Sequence, residues 1–215
     1  MERPQQFYSK PKITVIANGS LTPVSSDPTV MNMVGSVILV QSKDKNILFD
    51  TGTLGQKREI VDGLKSVGLK PHHIDMVVTS HGHPDHYSND GLFAGAKHNF
   101  DRFIFTLGAG QFNALSQNQP YFVMEDENLQ LIKTPGHTPQ DTSLIVRNAV
   151  DYGSIGLAGD LFLSEDTAKN PSGSSPPTTE EQQGSMKLLL CQADWIVPGH
   201  GAIFNTEPYK ETFLC

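Results

Sequence analysis

The stretch "TSHGHPDHYSND", residues 79–90, sets His81, His83, Asp85 and His86 within six positions, spaced by Gly82 and Pro84. Imidazole nitrogens and carboxylate oxygens are donors that suit zinc, iron or manganese better than calcium or magnesium. The stretch is either part of a metal site or a polar loop rich in histidine. What precedes it helps to decide. "IDMVVTS" (74–80) is a β-branched, aliphatic run that reads as a buried strand. Glycine and proline at its end stop the strand and let the backbone approach closely.

The same arrangement recurs downstream. "LQLIKTPG" runs into His137, "IGLAG" into Asp160 and "DWIVPG" into His200. Each is an apolar run, then a small-residue turn, then a metal-binding side chain. Strand ends on one side of a sheet can converge on one pocket, which gives seven candidate ligands: His81, His83, Asp85, His86, His137, Asp160 and His200. That number exceeds one tetrahedral zinc and suits two metals. No cysteine falls in these turns, which disfavours a thiolate site. Asp50, at the end of "NILFDTG" (46–52), either caps a turn or orients a ligand histidine from behind. Three other histidines read as bystanders. His72 and His73 sit in a surface turn before a strand, and His98 has no partner nearby in sequence.

Further strands are expected at 12–17, 34–41, 103–106, 121–124 and 142–148, where apolar residues are bounded by Gly, Asn and Asp. Helical spacing of Leu54, Ile60, Val61, Leu64 and Val67 predicts a helix over 54–68, with Gly68 as its stop. A second helix is expected over 180–194, with Cys191 on its apolar face as a core residue. The Ser/Pro/Thr-rich segment 164–180 reads as a mobile surface loop. There is no solenoid-type repeat. Many strands and few helices suggest two sheets with helices outside them, in a single domain spanning 1–215 with its core at about 12–204.

A chain of 215 residues buries about 70% of its unfolded surface. Mean hydropathy is −0.29, and no run reaches the roughly 18 apolar residues of a membrane helix, so no membrane partner is expected. The first dozen residues, "MERPQQFYSKPK", lack the apolar core of a secretory leader. Cys191 and Cys215 are too few for a disulfide framework, and Cys215 is expected to be mobile. A reducing compartment is the simple reading of the cysteines, and without targeting signals a cytoplasmic or nuclear location is expected. A net charge of −7 argues against broad adhesion to nucleic acid or anionic lipid.

"HGHPDH", "TPGHT", "AGD" and "VPGHG", preceded by "LFDTG", resemble the ordered motifs of the metallo-β-lactamase superfamily over about residues 34–204. The resemblance implies an α+β fold, the four-layer αββα sandwich, with two divalent ions at one edge, zinc first and iron or manganese as alternatives. It assigns His81, His83 and His137 to the first ion. Asp85, His86 and His200 fall to the second, Asp160 bridges the two, and Asp50 supports the ligands from behind. Departures narrow the branch. True β-lactamases carry cysteine or histidine at the Asp160 position, and flavodiiron proteins carry glutamate at the His83 position. Only 40 positions separate Asp160 from His200, leaving no room for a β-CASP insertion. Tyr87 and Asp90 depart from the pattern at the pocket rim.

The implied chemistry is hydrolysis by a hydroxide held between the ions, with Asp85 orienting the nucleophile and His200 assisting the leaving group. In the short, single-domain branch the implied substrate is RNA, cleaved as in histone pre-mRNA processing. The sequence itself shows neither an Arg/Lys-rich run nor an aromatic stacking motif for RNA. Hydrolysis of a small thioester or lactone, as in the glyoxalase II branch, is the competing reading. A one-iron oxygenase of the persulfide dioxygenase type and a non-catalytic metal scaffold complete the alternatives. Such sandwiches often pair through an apolar edge, which keeps a homodimer in view.

Overall fold

The computed structural model describes residues 7–114, 126–173 and 178–215. The first half contains β1 (Tyr8–Ala17), a hairpin of β2 (Ser20–Val24) and β3 (Asp27–Val34), β4 (Val37–Lys43) and β5 (Lys45–Phe49). Helix α1 (Lys57–Ser66), β6 (Met76–Thr79), the short helix α2 (Pro84–Tyr87), β7 (Lys97–Phe100), β8 (Phe103–Thr106) and β9 (Gln111–Ala114) follow. The second half holds β10 (Leu129–Lys133), β11 (Thr142–Ala149), β12 (Gly153–Gly159), α3 (Glu165–Lys169), α4 (Glu180–Leu190), β13 (Trp195–Pro198) and β14 (Phe204–Asn205). Seven strands form one sheet in the order β1-β4-β5-β6-β7-β8-β9, and five form another in the order β10-β11-β12-β13-β14.

Strand periodicity accounts for the layers. Along β4, Ile38 and Val40 face the second sheet, while Val37 and Leu39 turn outward to Ile60 and Leu64 of α1. Ile47, Phe49, Met76 and Val78 join the inner face and meet Leu131, Leu144, Ile155, Leu157 and Val197 across it. On the far side of the second sheet, Ile145, Ala158 and Ile196 pack against Met186, Leu189 and Leu190 of α4. The sequence of layers is helix, sheet, sheet, helix: the αββα sandwich. Strands covered on both faces read as unbroken apolar runs, as "VILV" does. Leu64 is fully buried, so Leu64→Ala should cost about 2–5 kcal/mol.

The structure corrects several expectations. The first helix starts with a 3-10 turn at Leu54–Gln56 and ends at Ser66, with Gly68 at φ +77° closing it. Segment 164–180 is not structureless: α3 lies within it, capped by Ser164, with Thr167 and Ala168 buried. A cap followed by one turn is too short to show a helical period. His73 is buried, its Nδ1 accepting from the Lys70 amide at 3.2 Å. His98 is also buried, with Nε2 3.0 Å from the Phe93 carbonyl. The buried face of α4 runs Gln182, Ser185, Met186, Leu189, Leu190. Cys191 falls off that stripe, is exposed, and is bonded to Cys215, with the two Cα atoms 5.3 Å apart. The core extends past residue 204 to Phe213, which is 7% exposed. The strand expected at 121–124 lies outside the described residues. No helix among the described residues is long and apolar enough to cross a membrane.

Candidate metal centre

Strand direction brings the candidate ligands to one edge. β5, β6 and β7 are mutually parallel, as are β12 and β13, and β10 shares the direction of β12 through two antiparallel pairings. Asp50 follows β5, Ser80 and His81 follow β6, and Asp160 follows β12 directly. His200 follows β13 after one glycine, and His137 sits in the turn after β10. Hydrogen bonds close the two sheets together here, from the Thr142 amide to the Ser80 carbonyl at 2.9 Å and from the Ser36 amide to the Gly199 carbonyl at 2.8 Å.

All seven candidates meet in two groups whose ligand atoms lie within 4.8 Å of one another: His81, His83, His137 and Asp160, then Asp85, His86 and His200. Asp160 stands between the groups. Its Oδ1 is 3.1 Å from both His86 Nε2 and His200 Nε2, and its Oδ2 is 3.1 Å from His200 Nε2, 3.4 Å from His137 Nε2 and 3.8 Å from His81 Nε2. His83 Nδ1 and His137 Nε2 are 3.0 Å apart. Asp85 Oδ2 lies 3.5 Å from both His86 Nε2 and His200 Nε2. His81, His86, Asp160 and His200 are buried, whereas Asp85 and His137 keep 13% and 18% of their side chains exposed. The centre therefore opens on the side of Asp85, His83 and His137.

The far nitrogens settle the tautomers. Ser80 Oγ donates to Asp50 Oδ2 at 2.8 Å, so its oxygen accepts from His81 Nδ1–H at 2.9 Å. His86 Nδ1–H donates to the same Asp50 oxygen at 2.8 Å, and His200 Nδ1–H to the Val34 carbonyl at 2.9 Å. Each of these rings thus turns its Nε2 toward the centre, where it becomes a donor once any second proton has left. His81 Nε2, His86 Nε2, Asp85 Oδ2 and Asp160 Oδ1 are buried without a hydrogen-bond partner. Such orphaned atoms are costly unless something binds them, and a nitrogen and oxygen donor set without sulfur fits divalent cations.

The electrostatics agree. Burial, reinforced by the neighbouring His86 charge, pushes the His81 imidazole down to about 2, leaving it neutral and able to donate a lone pair. Burial opposes a charge on His86, yet Asp50 and Asp160 overcome it and hold the ring well above its usual pKa. Asp160 is kept ionised against burial by His200 and His86. Protons held here occupy the place that cations take when they bind.

Asp50 is more than a turn cap. Its backbone sits at φ +59°, and its carboxylate also accepts from the Ser80 amide at 2.7 Å. Sequence reading missed Ser80, which nothing distinguishes from an ordinary strand-end serine. It also missed Asp141, whose carboxylate takes the His137 and Thr138 amides at 2.8 and 2.7 Å and fixes the His137 turn. Nothing in the spacing of Asp141 sets it apart from an ordinary turn aspartate.

Comparison with known proteins meets this geometry. The profile of the metallo-beta-lactamase superfamily matches residues 31–99. The chain belongs to this superfamily, whose members include metal-dependent hydrolases. It is 32% identical over 173 residues to metallo-beta-lactamase domain-containing protein 1 of Xenopus laevis, an alignment that covers 80% of this chain and 72% of that protein. An uncharacterised Caenorhabditis elegans protein is 32% identical over 86% of this chain, which spans only 52% of that relative. Among solved structures, an N-acyl homoserine lactone hydrolase with product at its catalytic metal centre superposes with a TM-score of 0.66. The match is at 19% identity, over 98% of this chain and 97% of that one.

Proposed function

We propose that this chain is a dinuclear metal-dependent hydrolase of small acyl substrates such as thioesters or lactones. His81, His83 and His137 would hold one divalent ion, Asp85, His86 and His200 a second, and Asp160 would serve both, with zinc the first candidate. The observation that carries this reading is the Asp160 carboxylate, which reaches both groups, with Oδ1 3.1 Å from His86 Nε2 and Oδ2 3.4 Å from His137 Nε2, while His81 Nε2, His86 Nε2 and Asp160 Oδ1 itself are buried without a hydrogen-bond partner. Cations bound there supply Lewis acidity, lowering the pKa of water and stabilising negative charge on a substrate oxygen. Asp50 and Ser80 keep the imidazoles facing inward. Asp85, at the open side with Oδ2 unpartnered, is placed to orient a nucleophile, and His200 beside it to assist a leaving group.

The hairpin beside the centre favours a small acyl substrate over RNA. Its end is pinned to the site: the Val34 carbonyl holds His200, and a Cβ on Gly35 would fall 2.3 Å from the Asp85 carbonyl. Val30, Met31 and Met33 are exposed along it, and residues 18–36 contain no lysine or arginine. Phosphodiester backbones are bound chiefly by cations. A one-iron site of three ligands would leave Asp85, His86 and His200 with nothing to bind. A scaffold role fits poorly as well, since structural sites are closed by four ligands and this one has an open side.

The test is elemental analysis of the purified protein together with hydrolysis assays on an acyl thioester and on single-stranded RNA. Two ions per chain and thioester turnover are expected. One iron per chain, or cleavage of RNA alone, would overturn the proposal.

A further inference from the structure

A cavity of about 370 Å³ adjoins the ligand loop, lined by Thr79, Gly82, Tyr87, Asp90, Phe100 and Phe105. It belongs to the same edge as the metal centre. Thr79 and Phe100 are register partners at the carboxyl ends of the parallel strands β6 and β7. Gly82 lies between His81 and His83, and Tyr87 follows His86. Gly82 borders Phe100, since a Cβ there would stand in ordinary contact with Phe100 Cζ at 3.5 Å.

The lining is aromatic, and its single charge is turned inward. Asp90 Oδ1 accepts from Thr51 Oγ1 at 2.7 Å, and Oδ2 lies 3.6 Å from Nδ1 of the buried His98. His98 in turn stacks on Phe105, with ring centroids 5.3 Å apart and planes within 17°. Phe105 is thus a ring braced by a second ring, and a braced ring bordering a cavity is a stacking platform. An aliphatic chain would fill the volume and gain from burial, but it would forgo the ring–ring contact. A phosphate would meet no cation among the lining residues.

We propose that this cavity is a recognition subsite for an aromatic ring carried by the substrate next to the bond that is hydrolysed. The inference rests on the acyl-hydrolase reading above and adds the chemical class of the acyl group. Tyr87, Phe100 and Phe105 are its specificity residues.

The test compares a planar ring with a saturated ring of the same size on the metal-loaded full chain. Phenylacetyl and cyclohexylacetyl thioesters of N-acetylcysteamine are the substrates, and phenylacetamide is the uncharged binding probe, followed by NMR. We expect kcat/KM to favour the phenyl compound about three- to tenfold. Phe105→Leu should remove that preference while keeping apolar volume. Tyr87→Ala alters a ring already 39% exposed, so it should fold and weaken phenylacetamide binding. Equal rates on the two thioesters, with no phenylacetamide binding, would overturn the subsite and leave the hydrolase reading intact. Binding that responds to both variants without turnover of any thioester would uphold the subsite and sink the hydrolase. Binding of adenosine in place of phenylacetamide would overturn the subsite as stated and point to a nucleobase pocket.

Discussion

The two halves of the centre are built by different means. Upstream, four candidate ligands share one six-residue loop, and the pair Asp50–Ser80 holds it from behind: one carboxylate reaches His86 directly and His81 through the serine hydroxyl. Downstream, three candidate ligands stand on three separate turns, each with its own support. Asp141 gathers the amides of the His137 turn, the Val34 carbonyl orients His200, and Gly199 leaves room for Asp160. A Cβ at Gly199 would fall 1.9 Å from Asp160 Oδ1, so the turn that presents one ligand also limits where another sits. A shared support should transmit damage to the whole loop, whereas a private one should confine it. That difference can be measured.

The largest effect should come from the residue that belongs to both groups. Asp160→Ala removes the carboxylate facing His81, His86, His137 and His200. Metal content should fall toward zero and turnover by at least about 10³-fold, in line with losing a principal electrostatic element of a site. Elemental analysis alongside circular dichroism checks this. A folded variant that still carries two ions would show that the halves are independent.

Ser80→Ala is next, and it asks whether the upstream support is truly shared. The variant leaves His81 Nδ1 without its acceptor and strips one donor from Asp50. Losses of this kind cost about 10–100-fold in metal affinity. Competition with a chelator should show weakening at both ions, since Asp50 also holds His86. Weakening at one ion alone would mean that the hydroxyl serves only His81.

Asp141→Asn should act more narrowly. It replaces a carboxylate that accepts two amides and the Thr138 hydroxyl with a group of weaker accepting power. Hydrogen bonds to charged groups contribute about 1.5–3 kcal/mol each, but the asparagine oxygen keeps part of that. An affinity loss of about tenfold is therefore expected, limited to the ion held with His137. Equal loss at the second ion would remove the distinction between shared and private supports.

This contrast also explains what the sequence revealed. The upstream loop is legible because its ligands are spaced for it, and the downstream ligands because each follows an apolar run and a small-residue turn. The supports are hidden. Ser80 looks like any polar residue ending a strand, and its role depends on Asp50, which is 30 positions away and reaches it only once β5 and β6 pair in parallel. The β2–β3 hairpin carries Pro23, Asp27 and Pro28 and has no alternating apolar face, so no strand was expected there. The aromatic cavity was equally out of reach, because Phe105 reads as a strand residue and Phe100 as part of no element until the register of β6, β7 and β8 brings them beside Gly82.

The smallest effect on the centre should come from the Cys191–Cys215 bond, and it tests whether α4 transmits strain. The first half of α4 braces the His137 turn: Ser185 Oγ donates to the Pro135 carbonyl at 2.7 Å, and a Cβ on Gly136 would sit 2.3 Å from Gln182 Cα. Cys191 caps the other end, about 9 Å from Ser185 at the helical rise. The bond closes a loop of sequence separation 24, and closing such a loop stabilises a fold by about 2–4 kcal/mol. Replacing both cysteines by serine should therefore lower the melting temperature. Phe213 stays packed near Phe162, and Tyr209 stays bonded to Glu165 at 2.5 Å, so the C-terminal turn keeps its place without the link. Metal content and turnover should then remain at the parent level. If both fall with the melting temperature, the helix must be passing strain from its capped end to the His137 turn, and the downstream supports are not private after all.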